Sequence, residues 1–496
     1  MNGRAEVIEV RNPATSELVG EVTCAADRDV SDAVARARTA QRSWDRQGWE
    51  GRVRVIRGFH GLLLAQNTRV LDVIQSETGK TRRDALAELV TVAGTARYYM
   101  AYGKKHLADR RGRGAVPLVT QAEVVHRPCG VVGLITPWNY PFLLPLGDAI
   151  PALLAGNAVV IKPSEFTPLS AQLGKELFLQ SGLDPDLIEV VHGRGDTGAE
   201  LVRHVDYVGF TGGTVTGRKV ALAAAERLIP YSLELGGKNP MIVLEGASIS
   251  RAAVGLLAGA FSNSGQTCIS IERVYVQDSI FDEFASCVAA GASRLKIGWS
   301  KSWDVDIGSL IHSSHAARVM EHVNDAVGKG AKVLAGGRRR EDLGPSFMEP
   351  TVLSNVQSDM LVSDQETFGP VVSLYRVANV EEAVAQANDS VYGLNATVWS
   401  KDAAHGRRIA RSLETGSVAI NSTLMIYNSF DVPMGGMKMS GIGRRHGAPG
   451  ICRYTREQSI VTSFASGGGY DALLFKLRGD AAVNRLLNLL RLWRRL

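Results

Sequence analysis

From about residue 131, short apolar runs alternate with longer segments in which apolar residues recur every three to four positions. Apolar runs bounded by turn formers predict buried strands, and the longer period predicts helices. The expected strands are Val131–Ile135, Ala158–Ile161, Ile188–Val191 and Tyr207–Phe210. The expected helices among them are Pro141–Leu154, Ser170–Gln180, Gly198–His204 and Thr214–Leu228. This succession predicts an open α/β sheet with crossover helices, the spacing of a dinucleotide-binding sheet. A second α/β stretch follows Gly236, with helices at Ala252–Ser262, Ile280–Ala292 and Ala316–Gly328 and strands at Val371–Tyr375 and Ser417–Ile420. Before residue 110 the chain reads as mainly helical and rich in Arg and Ala.

After Ser463 the pattern changes. Ser466-Gly467-Gly468-Gly469 reads as a hinge to an appended tail. There Val483, Leu486, Leu487, Leu490 and Trp493 recur at helical spacing, with Asn484, Asn488, Arg491 and Arg495 on another face. Lys476, Arg478, Arg485, Arg491, Arg494 and Arg495 outnumber Asp471 and Asp480. A basic amphipathic helix of this kind either lies on an anionic membrane surface or packs across a subunit interface.

At 496 residues the chain exceeds what one core supports, so two or more domains are expected. A hydrophobic share of 45 % and a charged share of 21 % describe an ordinary globular enzyme, not a disordered chain. The net charge of +6 is dispersed outside the tail, which argues against a nucleic-acid partner. No apolar run reaches the roughly 20 residues of a membrane span, and the start MNGRAEVIEV has no charged region followed by an apolar core, so a cytoplasmic address is expected. The five cysteines are odd in number and far apart, and His312 and His315 lack a ligand partner at metal spacing, so neither disulfides nor a metal is expected.

Gly193-Arg194-Gly195-Asp196-Thr197-Gly198 matches a phosphate-cradling glycine pattern, although among 52 glycines it also arises by chance. Ser76-Glu77-Thr78-Gly79-Lys80-Thr81 ends like a triphosphate-binding loop but has Ile74 where the leading glycine belongs, so that function is rejected. Cys268 lies in the small, polar stretch Ser262–Ser270. Alone, such a cysteine is more often an inert buried residue than a nucleophile. Its company alters that: Glu234, Asn139 and Lys162 all fall at strand-to-loop junctions, where α/β proteins bind ligands. Taken by itself, Glu234 has as its less favoured reading a structural salt bridge with Lys238 or another cation.

Seven ordered segments resemble the aldehyde dehydrogenase superfamily: Pro137–Pro141, Lys162–Glu165, Phe210–Thr214, Glu234–Lys238, Gly265–Cys268, Glu366–Pro370 and Pro433–Gly441. The resemblance runs from about Asn12 to Phe464 and leans toward bacterial succinate-semialdehyde dehydrogenase-like members. It implies a Rossmann-type cofactor domain (1–115 and 130–235), an α/β catalytic domain (236–433), and a small β oligomerisation arm (116–129 and 453–466), followed by the tail (467–496). A homodimer or homotetramer follows from it.

The resemblance also implies roles. Cys268 attacks an aldehyde, Asn139 and the Cys268 amide hold the oxyanion, and Glu234 activates water to hydrolyse the thioester, with Lys162 in the catalytic set. Ile135, Thr136, Pro137 and Trp138 line NAD, while Lys162, Ser164 and Glu165 address its adenosine ribose and Gly195 its adenine side. Phe210, Thr211, Gly212, Gly213 and Gly217 form the pyrophosphate side, and Leu235, Glu366 and Phe368 the nicotinamide side. The Glu165 anion favours NAD over NADP without excluding NADP.

Three positions depart from the family pattern. Gly213 replaces a serine, Gly147 stands near where an arginine grips the semialdehyde carboxylate, and Arg445 replaces a glutamate of several relatives. An apolar or aromatic aldehyde is therefore as much expected as succinate semialdehyde. A coenzyme A-acylating dehydrogenase and a catalytically silent scaffold would carry the same resemblance; Glu234 opposes the first, and intact Cys268, Glu234 and Asn139 the second.

Overall fold

The computed structural model describes residues 6–115, 119–464, 475 and 478–493, and at positions 486, 489, 490, 492 and 493 the backbone alone. Two compact units are present, residues 1–106 with 128–454 and residues 107–127 with 455–496. The larger opens with an antiparallel hairpin, β1 (Val7–Arg11) and β2 (Leu18–Thr23), in the region expected to be mainly helical. Ile8 and Val10 turn inward and their neighbours outward, a two-residue period too short to stand out in the sequence. Four helices follow: α1 (Asp27–Arg46), α2 (Gly48–Ala65), α3 (Asn67–Thr78) and α4 (Arg82–His106).

The first sheet contains β5 (Val131–Ile135), β6 (Ala158–Lys162), β7 (Ile188–Val190), β8 (Tyr207–Thr211) and β9 (Tyr231–Glu234), all parallel, with β19 (Gly441–Ile442) antiparallel at one edge. Its order is β19-β9-β8-β5-β6-β7. Every residue of β5, β6 and β8 is buried, as strands covered on both faces require. Helices α5 (Leu143–Leu154), α6 (Leu169–Gln180), α7 (Gly195–Val202) and α8 (Thr214–Glu226) connect them, close to the expected ranges.

The second sheet has seven strands: β10 (Asn239–Val243), β11 (Ile271–Gln277), β12 (Lys332–Ala335), β13 (Thr351–Ser354), β14 (Val371–Val377), β16 (Asn395–Trp399) and β17 (Ser417–Ile420). All are parallel except β12. A two-residue pair, β15 (Tyr392–Gly393) with β18 (Met437–Lys438), stands apart. Helices α9 (Ile249–Phe261), α10 (Asp278–Ala292) and α11 (Ser313–Gly328) belong to this half, and Leu256, Val274, Phe284 and Leu374 fill one of its cores. β10 and β11 escaped the pattern because Asn239-Pro240 opens one and Glu272-Arg273 interrupts the other.

The smaller unit is an antiparallel sheet of β3 (Arg110–Arg113), β4 (Thr120–Pro128) and β20 (Thr455–Ser463), with a helix at Asp480–Trp493. The hinge-like run Ser466–Gly469, the residues Asp471, Lys476, Arg494 and Arg495, and the side chains of Leu486, Leu490 and Trp493 lie outside the described residues, as do 116–118 and 465–466 of the expected arm.

Candidate active site

The chain crosses the first sheet from β5 to β6 to β7, then returns to place β8 on the other side of β5. The crevice beyond the C-terminal ends of β5 and β8 is therefore a topological switch point, where open α/β sheets hold ligands. Asn139 follows β5, Thr211 ends β8 and Glu234 ends β9, while Cys268 enters from the loop before β11. All four line one cavity of about 940 Å³, together with Pro137, Trp138, Gly212, Gly213, Leu235, Glu366 and Phe368.

The loop that carries Cys268 is shaped by an unusual turn. Asn263, Ser264 and Gly265 have φ of 51°, 56° and 73°, three left-handed residues in succession. For Asn and Ser this costs on the order of 1 kcal/mol or more each, so the surroundings must impose it. Asn263 Nδ2 donates to Asn139 O at 3.0 Å, Ser264 Oγ to Gly308 O at 3.0 Å, and Ile311 N to Gln266 Oε1 at 2.9 Å. A Cβ at Gly265 would overlap the Gly369 carbonyl, so glycine alone lets this loop meet the one that carries Glu366 and Phe368.

Asn139 is fixed from two sides. Its side-chain amide donates to Gln266 O at 3.0 Å, leaving its second N–H for a ligand oxygen. Its carbonyl also accepts from Lys80 Nζ at 2.7 Å, and Lys80 pairs with Glu88 at 2.6 Å in full burial. Glu88 Oε2 in turn accepts from the Phe142 and Leu143 amides at 3.0 and 2.9 Å, satisfying the start of α5. Gly79, at φ 69°, ends α3 in a left-handed cap. The segment that ends like a phosphate loop is thus a helix cap and a prop for Asn139.

The Glu234-to-Lys238 salt bridge weighed from sequence is not formed. Lys238 pairs with buried Glu272 instead, and Glu272 accepts from the Thr367 and Phe368 amides. Gly237 N donates to Glu366 Oε1 at 2.9 Å, and Asn239 Nδ2 to the Cys268 and Ser270 carbonyls at 2.8 and 2.7 Å. A Cβ at Gly237 would come to 2.7 Å from Cys268 O, so the paired glycines admit both neighbouring loops. Glu88, Asn239 and Glu272 do not stand out in the sequence, and Lys80 does so only within the rejected phosphate-loop match, because no local spacing reveals a group whose partner is distant.

Glu234 is 6 % exposed. Burial pushes its carboxyl up to about 7, against the opposing pull of Arg445 and Arg453. Burial, reinforced by the Glu234 charge, pushes the Cys268 thiol up to about 12, so at neutral pH it is a thiol that needs a base. Burial and Glu272 push Glu366 up to about 8.

The remaining expected cofactor residues occupy neighbouring strand and helix ends. Ile135 closes β5 and precedes Thr136; Phe210 lies one residue before the end of β8; Lys162 closes β6, with its Nζ 3.8 Å from Glu165. Lys162 is thus paired with a residue of the loop that follows β6 and is not among the residues lining the Cys268 cavity. Ser164 Oγ accepts from Phe166 N at 3.3 Å. Gly195 opens α7, and Gly217 lets α8 close on Leu235, whose Cδ2 would lie 2.6 Å from an added Cβ. Glu165 lines a second cavity, of about 320 Å³, that shares His312 with the first.

These residues suit a dinucleotide. Gly213 precedes α8 as its N-cap and supplies no side-chain cap, a Cβ there would meet nothing within 4 Å, and the Thr136 hydroxyl is buried with no protein partner among the described residues. Uncapped amides at a helix start receive phosphate. The opposite side of the cavity is largely apolar: Leu143 and Leu144 from α5, Leu257 and Phe261 from α9, with Ile269 and Leu424. Arg83 lines it too, but is exposed and 3.3 Å from Asp306.

A model of the aldehyde dehydrogenase family matches residues 1–460. The chain belongs to the aldehyde dehydrogenase family. It is 46 % identical over 437 residues to a putative succinate-semialdehyde dehydrogenase [NADP(+)] of Mycolicibacterium smegmatis, covering 88 % of this chain and 84 % of that one. The mitochondrial succinate-semialdehyde dehydrogenase of Arabidopsis thaliana is 37 % identical over 460 residues, covering 90 % and 85 %. Among solved structures, the putative aldehyde dehydrogenase PutA from Anabaena variabilis superposes with a TM-score of 0.89 at 36 % identity, covering 93 % and 98 %. The enzyme is accordingly an NAD(P)-dependent aldehyde dehydrogenase with the family's α/β fold.

Proposed function

We propose that this enzyme oxidises an apolar aldehyde to its carboxylate by a hydrolytic route through Cys268. The observation that carries the reading is the convergence of Cys268, Glu234 and Asn139 on one cavity beside an uncapped helix start. Glu234 takes the thiol proton as sulfur bonds to the aldehyde carbon. The oxyanion of the resulting thiohemiacetal accepts from the Asn139 amide and the Cys268 backbone N–H. NAD(P)+, when bound, supplies the hydride acceptor that this collapse requires. Glu234, having released the first proton to solvent, then removes a proton from water as its oxygen bonds to the thioester carbon, and the C–S bond breaks as that proton passes to sulfur, releasing carboxylate and restoring the thiol.

Pro137, Trp138, Gly212, Gly213, Glu366 and Phe368 would hold the nicotinamide and pyrophosphate end, and Lys162 with Glu165 the adenosine ribose. Glu165 would repel a 2′-phosphate, giving NAD the advantage. The name of the Mycolicibacterium smegmatis relative favours NADP and succinate semialdehyde as a second reading. Against that substrate, Gly147 supplies no cation, Arg83 is already paired, and Arg318, the other arginine lining the cavity, comes from α11, whose His315 sits beside Trp138 and Phe368 at the proposed cofactor end. We place the first sheet with the helices before it as the cofactor domain, the second sheet as the catalytic domain, and β4 with β20 as an arm that joins cytoplasmic dimers or tetramers. No helix among the described residues is long and apolar enough to cross a membrane; the basic helix Asp480–Trp493 would lie on a subunit interface or an anionic membrane surface.

The test is aldehyde-dependent reduction of NAD+ and NADP+ with hexanal, benzaldehyde and succinate semialdehyde, with Cys268→Ala as control. Activity retained in that variant would refute the nucleophile, and a clear preference for succinate semialdehyde would refute the apolar substrate.

A further inference from the structure

Arg445 departs from the family pattern and has no part in the hydrolytic route, yet it is buried next to the proposed base. Its Nη2 donates to Asp148 Oδ2 at 2.8 Å and to Thr211 Oγ1 at 2.7 Å. Thr211 ends β8 as the register partner of Glu234 on β9, so the two side chains leave the same face of the sheet. The other Asp148 oxygen accepts from Arg453 Nη2 at 2.6 Å, and Arg453 also donates to Tyr454 Oη at 2.7 Å. One aspartate therefore serves two arginines, all three with side chains no more than 10 % exposed.

Buried charges are costly unless balanced, and two cations with one anion lack a negative charge. The orphaned groups point to where it resides. Glu234 Oε1 is a buried acceptor, and Arg445 Nε and Arg453 Nε are buried donors, all without a partner among the described residues. The charged and titratable groups facing Glu234 are Asp148 from α5, Cys268 from its loop, Tyr427, and Arg444, Arg445 and Arg453 from the segment after β19. Arg444 already gives one guanidinium nitrogen to the Gly436 and Gly443 carbonyls.

We infer that Arg445, held by Asp148 and Thr211, is a positioning residue that with Arg453 provides the counter-charge of Glu234 and favours the ionised form this carboxylate needs for water activation. The inference rests on Glu234 being the hydrolytic base. An arginine stays protonated throughout the working pH range, so this cluster fixes charge and carries no proton away. The neighbouring charges bear on Glu234 in the matching sense: Arg445 and Arg453 pull its pKa down and Asp148 pushes it up.

The experiment uses p-nitrophenyl acetate with the full-length enzyme. The thiol attacks the ester carbonyl and expels p-nitrophenolate, whose burst reports acylation, while the later steady rate reports thioester hydrolysis. Wild type, Arg445→Met, Arg445→Lys and Asp148→Asn are compared from about pH 5 to about pH 10. Arg445→Met should move the acid limb of the steady rate up by about one unit or more, lowering hydrolysis about tenfold near neutrality and restoring it in alkali. Asp148→Asn should move the limb the opposite way, and Arg445→Lys should leave it near that of wild type. Limbs of Arg445→Met and Asp148→Asn that stay at the wild-type position overturn the inference, as does a smaller burst with an unmoved limb, which would make Arg445 a folding residue alone. A burst retained in Cys268→Ala would instead overturn the nucleophile assignment beneath it.

Discussion

Replacing Lys80 by Met tests whether the oxyanion side of the site is built on a buried ion pair. Lys80 and Glu88 have side chains 1 % and 0 % exposed, and the ammonium also donates to the Asn139 carbonyl. Methionine fills a similar volume without the charge, leaving the Glu88 carboxylate with only the Phe142 and Leu143 amides. Breaking a buried pair from one side costs about 3–5 kcal/mol, a large part of the roughly 5–15 kcal/mol that holds a domain folded. Urea unfolding followed by tryptophan fluorescence, with kcat measured on the surviving native enzyme, reads both consequences. The double variant Lys80→Met/Glu88→Gln removes both charges while keeping an acceptor for the α5 amides, and should recover about half of the loss. A single variant within about 0.5 kcal/mol of wild type, or a double variant no more stable than the single, would refute the reasoning.

Asn139→Ala should lower kcat by about 10²–10³ through loss of one oxyanion donor, while the lost bond to Gln266 costs only about 1 kcal/mol of stability; a melt together with steady-state kinetics separates the two. Glu234 has its folded pKa raised to about 7, so its contribution to stability is full below the ordinary carboxylate value and fades as pH rises through 7. Wild type should therefore lose stability relative to Glu234→Gln over the same window in which its turnover increases, as melts of both across pH would register. Gly265→Ala forces a Cβ onto the Gly369 carbonyl at a left-handed position, and should cost more than about 2 kcal/mol together with most activity; normal melting and turnover would show that the two loops can separate.

Much of the first sheet was legible because β5 is a short apolar run buried throughout, while the interval from Leu143 to Leu154 is an apolar run too long for a strand, so that both declare themselves. The hairpin Val7–Thr23 and strand Ile271–Gln277 were not, since one is too short for a period to register and the other contains a buried Glu-Arg pair that looks like surface. The motif residues Asn139, Glu234 and Cys268 were nameable in advance as a set. Their supports were not: Lys80 and Asn139 are 59 positions apart, and Lys238 and Glu272 are 34 apart. Such partnerships exist only after folding. For the same reason Arg445 appeared as an oddity in the sequence and as a member of a charge cluster in space.

The apolar wall contributed by α9 has an implication for how this enzyme can diversify. Val254, Leu257 and Phe261 recur along one stripe of that helix, and Val254, at the rim, is 66 % exposed. Asn139, proposed as the oxyanion donor, follows a strand of the first sheet and is braced by Lys80, while Glu234 ends another strand of that sheet. Substitutions at Val254 can therefore reshape the entrance for bulkier or shorter aldehydes while meeting little resistance from the core. On the proposed function, chemistry and selectivity fall to parts that can mutate at different speeds, and a library confined to this one stripe is a compact route to new substrate scope.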